Sequence, residues 1–177
     1  MQLHKLPPRG GDGAVRVVVE APRGCGVKLK YEPRLGAFEY GRALPLGLSY
    51  PYDWGFVPGT RAEDGDPLDA LVLCDVPSYP GVVIPSRPIG AVLVDQKNEE
   101  GERERNDRLV LVPLAAERFA DLRDARALPR RTREEIERFF LDTTFFTQKD
   151  ARVLGWKGPA EADALVRKSA AAARRRR

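Results

Sequence analysis

The segment Glu63-Asp64-Gly65-Asp66-Pro67-Leu68-Asp69-Ala70-Leu71-Val72-Leu73 carries the residue types and spacing best suited to chemistry. Asp64 and Asp66 are two apart, so an extended chain puts them on one face, and a bend at Pro67 swings Asp69 toward them. Each carboxylate pair brought to about 4 Å repels by on the order of 4 kcal/mol at an effective dielectric of about 20. Divalent cations or a held proton relieve that repulsion. Asp, Gly and Pro also build ordinary turns, so composition alone leaves a plain turn open. The third carboxylate, at the mouth of an apolar strand, favours a Mg²⁺ cage.

A second group precedes this loop. Lys30 and Glu32 alternate on one strand, Arg42 follows, and Tyr50-Pro51-Tyr52-Asp53-Trp54-Gly55-Phe56 leads into the acidic segment. Lys, Arg and Tyr supply donors for phosphate oxygens, while carboxylates hold the metals that bridge them. Any one of these residues alone reads as a surface charge or a core aromatic; their order ahead of the acidic loop points to phosphoryl chemistry. The single histidine, His4, sits in a Pro/Gly-rich stretch read as a solvated tail. That removes Ser-His-Asp, H-E-x-x-H and Cys/His zinc arrangements. G-x-x-x-x-G-K-[ST] and G-x-G-x-x-G are also missing from the sequence. Metal binding and acid–base work fall to carboxylates, whose hard oxygens favour Mg²⁺ or Mn²⁺ over zinc.

The elements that must position these groups are short strands. Val15 to Glu20 is a β-branched run and Lys28 to Glu32 alternates, with turn residues Pro22 to Gly26 between them. Further apolar runs at Ala70 to Cys74, Val82 to Ile84, Gly90 to Val94 and Leu109 to Val112 are punctuated by Pro and Gly, which predicts a small barrel. Beyond residue 115, Thr132-Arg133-Glu134-Glu135 fits a capping box, and Ile136, Phe139 and Phe140 recur at helical spacing. Pro159, Glu161 and Leu165-Val166 predict a last helix running into Ala170 and beyond. The expected architecture is mainly β with flanking helices: about five main strands plus C-terminal helices.

The chain has 177 residues, enough for one domain, with 1–13 and 170–177 read as tails. Its net charge of +4 is accounted for by Arg174 to Arg177, leaving a neutral body that weakens the case for nucleic acid. No apolar run is long enough to span a membrane and no signal core opens the chain, so a cytoplasmic protein is expected. Cys25 and Cys74 show no framework spacing and are expected to be reduced packing residues.

Val19-Glu20, Lys30-Tyr31-Glu32, Arg42, Tyr50-Pro51 and above all Asp64-Gly65-Asp66-Pro67-Leu68-Asp69 resemble the soluble inorganic pyrophosphatases of family I, whose signature is D-G-D-P-hydrophobic-D. The resemblance covers Val15 to Pro113 and is looser in the C-terminal helices. It implies a five-stranded, OB-like closed barrel with flanking helices, Mg²⁺ or Mn²⁺ as cofactor, and hydrolysis of inorganic pyrophosphate to two phosphates. It also implies a homo-oligomer, a hexamer among bacterial members. By position, Asp64 and Asp69 would hold metal and Asp66 would help deprotonate the attacking water. Lys30, Arg42, Tyr50 and Lys149 would hold phosphate oxygens, with Glu20 and Glu32 in support.

The chain departs from the family pattern in the acidic hairpin, which ends in Asp-x-Lys before an apolar strand. Counting back from Leu109 places Arg108 at the lysine and Asn106 at the aspartate, unless a one-residue shift brings in Asp107. Asp95 and Asp107 are therefore the expected metal ligands here. Trp54 replaces a usual tyrosine, and Gln148-Lys149 replaces Tyr-Lys. Two further readings follow: a pyrophosphatase-like protein with lost or redirected activity that binds phosphorylated ligands, and a nucleic-acid-binding barrel using the arginine tail.

Overall fold

The computed structural model describes residues 2–175. Nine strands and two helices follow one another as β1 (Val15–Ala21), β2 (Val27–Glu32), β3 (Ala37–Ala43), β4 (Asp53–Val57), β5 (Leu68–Val72), β6 (Val83–Lys97), β7 (Arg103–Arg105), β8 (Arg108–Pro113), α1 (Arg130–Asp142), β9 (Arg152–Lys157) and α2 (Pro159–Arg174). The architecture is mainly β with a few helices, as expected.

Pairing order explains how distant segments meet. β1 pairs with β4 and β4 with β5, both antiparallel, and β5 lies parallel to β8. β8 returns antiparallel to β6, and β6 pairs antiparallel with β1, so the pairing order comes back to its first strand. β7 and β9 extend β6, while β2 and β3 form a separate hairpin. Alternation along the central strands feeds two apolar layers. Val110 and Val112 of β8 pack with Trp54, Ile136, Phe139 and Phe140 beneath α1. Leu109 and Leu111 pack instead with Val15, Val17, Leu68 and Val166 beneath α2. A strand buried on both faces reads as a continuous apolar run, which is why Leu-Val-Leu-Val stands out in the sequence.

Several expectations need correction. The runs at Val82 to Ile84 and Gly90 to Val94 belong to one fifteen-residue strand, β6, because Pro88 sits at a register shift within it. The capping box is not used: α1 begins at Arg130 with Pro129 as its N-cap, so Thr132 lies inside the first turn. The N-terminal stretch is not a solvated tail. Leu3 is buried and its N–H donates to the Tyr31 hydroxyl at 3.2 Å. Arg9 bridges to Val15, and His4 borders the cleft described below. At the other end, Ala170 to Arg174 continue α2; of the arginine tail, Arg176 and Arg177 lie outside the described residues. Pro159 opens α2 as expected. Cys25 and Cys74 are free thiols, and no helix among the described residues is long and apolar enough to cross a membrane.

β1 and β4 approach closely at Gly55, where an added Cβ would lie 1.9 Å from the Val18 carbonyl oxygen. Gly55→Ala should therefore force β1 and β4 apart and cost about 1–3 kcal/mol in urea unfolding. An unchanged midpoint would contradict this packing.

Candidate active site

The acidic turn is built by its own backbone. The N–H of Ala62 donates to the Asp66 carbonyl at 2.8 Å, and the N–H of Gly65 to the Ala62 carbonyl at 3.2 Å. Gly65 takes φ +89°, a left-handed conformation that glycine adopts without steric cost. The N–H of Asp66 donates to Asp64 Oδ1 at 3.2 Å. Buried Thr60 anchors the exit, accepting the Leu68 N–H at 2.9 Å. Asp64, Asp66 and Asp69 thereby face one cleft of about 360 Å³.

The same cleft receives Glu20 from β1, Lys30 and Glu32 from β2, Arg42 from β3, Tyr50 ahead of β4, and Lys149 from the loop after α1. Glu20 Oε1 accepts the Tyr31 N–H at 2.8 Å, which ties β1 to the β2–β3 hairpin. Glu32 Oε1 accepts the Arg34 N–H at 2.9 Å. Lys30 Nζ stands 3.3 Å from Asp66 Oδ2. Arg42 donates to the carbonyls of Ala43 and Thr143, so the hairpin reaches the end of α1. Tyr50 packs on Phe139 with ring centroids 5.1 Å apart. Burial, with Asp69 and Glu20 adding, pushes its hydroxyl well above the ordinary range, so it remains a donor.

The acidic hairpin departs from expectation. Asp95 and Asp107 do not face the cleft. Asp95 meets Arg103 at 2.8 Å, and Asp107 meets Arg105 at 2.7 Å and accepts the Val94 N–H at 3.1 Å. Strand alternation gives the reason: the neighbours Gln96, Asn106 and Arg108 take the inward positions, and all three are buried and line the cleft. The one-residue shift does not occur. Because β5 and β8 run parallel with Ala70 beside Leu109, the residues one step earlier, Asp69 and Arg108, emerge side by side, 3.6 Å apart. The Arg108 guanidinium lies over the rings of Trp54 and Phe140, at 5.9 and 5.7 Å from their centroids. Trp54 thus walls the cleft and holds a cation. Gln148 is exposed and outside the cleft, while Thr143, Thr144 and Thr147 line it.

Lys28 and Gln96 also border the cleft without a sequence motif that marks them, although the Lys28–Lys30 alternation places both lysines on one face. His4 is a third, concealed by its position in the N-terminal stretch.

Among the described residues no three His, Cys, Asp or Glu side chains converge closely enough to hold an ion by themselves. Asp69 is turned to Arg108, and Asp66 to Lys30. Mg²⁺ needs no protein cage of that kind, since it is commonly held by one or two carboxylates, water and substrate phosphates. Gln96 Oε1 is buried without a hydrogen-bond partner and adds a hard oxygen. The donor set therefore fits a divalent cation completed by phosphate oxygens.

Burial pushes the Asp64 and Asp69 carboxyls above their ordinary range; at Asp64 the Asp66 N–H opposes the rise and the Asp66 carboxylate adds a smaller push, while Arg108 opposes it at both. Burial lifts Glu20 from 4.5 to about 7, against the Tyr31 N–H and with a smaller push from Asp69. A carboxyl raised on folding contributes stability that is complete below its unfolded value and lost as pH climbs through about 7. Glu20→Gln removes that loss. In metal-free protein, its melting temperature relative to wild type should rise from about pH 5 to about pH 8; a constant difference would contradict a raised Glu20.

Comparison with known proteins places the chain in a family. A family model described as inorganic pyrophosphatase matches residues 17–174. The inorganic pyrophosphatase of Thermus thermophilus is 38% identical over 161 residues, covering 88% of each chain. That of a Nostoc species is 34% identical over 169 residues, covering 96% of this chain and 97% of its own. A crystal structure of the Thermus thermophilus inorganic pyrophosphatase superposes with a TM-score of 0.89 at 35% identity, covering 98% of this chain and 99% of that one. One from Neisseria gonorrhoeae gives 0.85 at 28% identity, with 96% of each chain covered. With its acidic turn and opposing cations held in the same fold, this chain belongs to the inorganic pyrophosphatase family of hydrolases.

Proposed function

We propose that this protein hydrolyses inorganic pyrophosphate to two phosphates in the cleft, with Mg²⁺ as cofactor and Mn²⁺ able to replace it. The observation that carries the reading is a floor of carboxylates, Asp64, Asp66 and Asp69, facing donors from Lys30, Arg42, Tyr50 and Lys149 within one cleft. A divalent cation bound there supplies charge neutralisation and makes water acidic enough to attack near neutral pH. Asp64 and Asp69 hold it, and Asp66 takes the proton of the attacking water. Lys30, Arg42, Tyr50 and Lys149 hold phosphate oxygens in line for displacement. Glu20 and Glu32 support the site by fixing the backbone of the β2–β3 hairpin.

We read the five-strand cycle as an OB-like barrel, the chain as a single domain, and the active form as a cytoplasmic homo-oligomer, a hexamer by family likeness. A nucleic-acid role has no support in the cleft, where the aromatic rings of Trp54, Phe139 and Phe140 are buried and offer bases no platform.

A second reading is a cleft that binds phosphorylated ligands without turnover. It is favoured by the inward carboxamides of Gln96 and Asn106, which add no negative charge for a cation. Turnover of pyrophosphate at cellular Mg²⁺ by the wild type would dismiss it.

For the main reading, Asp66→Asn should lower kcat by about a hundredfold or more while leaving the melting temperature near that of wild type. A folded variant with unchanged kcat would remove Asp66 from the chemistry.

A further inference from the structure

Three cations in the cleft lack an acidic partner. Lys28, Arg42 and Lys149 all line it, and among the described residues no carboxylate oxygen forms an ion pair with any of them, whereas Lys30 and Arg108 are matched to Asp66 and Asp69. Lys28 faces Arg42 directly across the β2–β3 pair. Like charges at that position are destabilising. The fold takes a specific step to create the pairing: the register passes from Lys28↔Arg42 to Leu29↔Tyr40, leaving Gly41 as the extra residue of a bulge. A Cβ at Gly41 would lie 2.8 Å from the Lys28 carbonyl oxygen, so the bulge depends on glycine. The Lys28 ammonium is also partly withdrawn from water, which lowers its pKa; Lys149, Arg42 and Lys30 add to the lowering, and Asp69 opposes it. A repulsive cross-strand pair, kept in register by a bulge and aimed into a cleft, is relieved by an anion placed between the two groups.

We propose that Lys28 is a further phosphate-binding residue of this cleft, forming with Arg42 and Lys149 an anchor that holds one phosphoryl group of a diphosphate without help from a metal ion. The proposal rests on the reading of the cleft as a pyrophosphate site. It assigns the two ends of the ligand different supports. The acidic turn would hold the divalent cation that neutralises one phosphoryl group, and the other would meet side-chain cations directly. The ammonium of Lys28 donates to a phosphate oxygen, a charge-assisted bond that loses both charge and donor on conversion to methionine.

The test is calorimetric titration of the full chain with methylenediphosphonate, a non-hydrolysable diphosphate, in excess EDTA. Wild type should bind, and Lys28→Met should bind about tenfold or more weakly, as expected for one charge-assisted hydrogen bond. Lys28→Arg should keep most of the affinity. Ligand-free Lys28→Met should melt at or above the wild-type temperature, because the repulsion with Arg42 is gone, which separates a binding loss from a folding loss. Equal affinity of wild type and Lys28→Met, or no binding by wild type in EDTA, would overturn the proposal. Phosphate release from pyrophosphate with Mg²⁺, measured on the same proteins, keeps the two claims apart. Turnover with no Lys28 effect on binding or KM leaves the pyrophosphatase reading standing and removes this one. Lys28-dependent binding without turnover at any Mg²⁺ level does the reverse.

Discussion

The contact between Asp69 and Arg108 is the interaction on which the rest of the site depends. A carboxylate at the start of a central strand loses hydration on folding, and the rise in its pKa marks that cost. Arg108 offsets it at 3.6 Å, from the neighbouring parallel strand. The guanidinium in turn needs its own setting, which the faces of Trp54 and Phe140 provide. One ion pair therefore links the strand pairing of β5 and β8, the packing of α1 and the floor of the cleft. A loss of either partner leaves a charge largely out of water with nothing to balance it, so the pair constrains fold and chemistry together.

The same balance runs through the cleft. Its acids are Glu20, Glu32, Asp64, Asp66 and Asp69, and its bases are Lys28, Lys30, Arg42, Arg108 and Lys149. Formal charge cancels across these ten residues, yet the arrangement is not one of neutral pairs. Four of the five acids lie on the turn, the start of β5 and β1, with Glu32 at the end of β2, while unmatched bases gather on the hairpin and the loop after α1. That separation suits a ligand that is itself highly negative and must meet bare cations on one side and metal-bridged carboxylates on the other. The carboxamides of Gln96 and Asn106 take inward positions on the floor and add no negative charge to it.

Legibility in the sequence followed the range of each interaction. The acidic turn could be read because Asp64, Gly65 and Asp66 are held by hydrogen bonds within a few residues. Of the cycle, β1, β5, β6 and β8 are visible as apolar runs, whereas β4, Asp-Trp-Gly-Phe-Val, is not, and Pro159 marks the start of α2. The hairpin ligands could not be read. Whether Asp95 or Gln96, and Asp107 or Asn106, turns inward is set by register against strands far along the chain, and a one-residue error reverses every side chain. The N-terminal segment misled for a related reason: Leu3 is fixed by Tyr31, a partner whose proximity no local pattern encodes. Lys28 is not legible in the sequence because a lysine on an alternating strand looks like a surface charge until the bulge at Gly41 sets it against Arg42.

The measurement that tests the central claim most directly is phosphate release from pyrophosphate by the purified wild-type protein as Mg²⁺ is titrated from zero. The account predicts no release in EDTA and a saturable rise with Mg²⁺, with the carboxamides Gln96 and Asn106 in place. Absence of release at every Mg²⁺ and Mn²⁺ concentration, from protein shown to be folded, would contradict it.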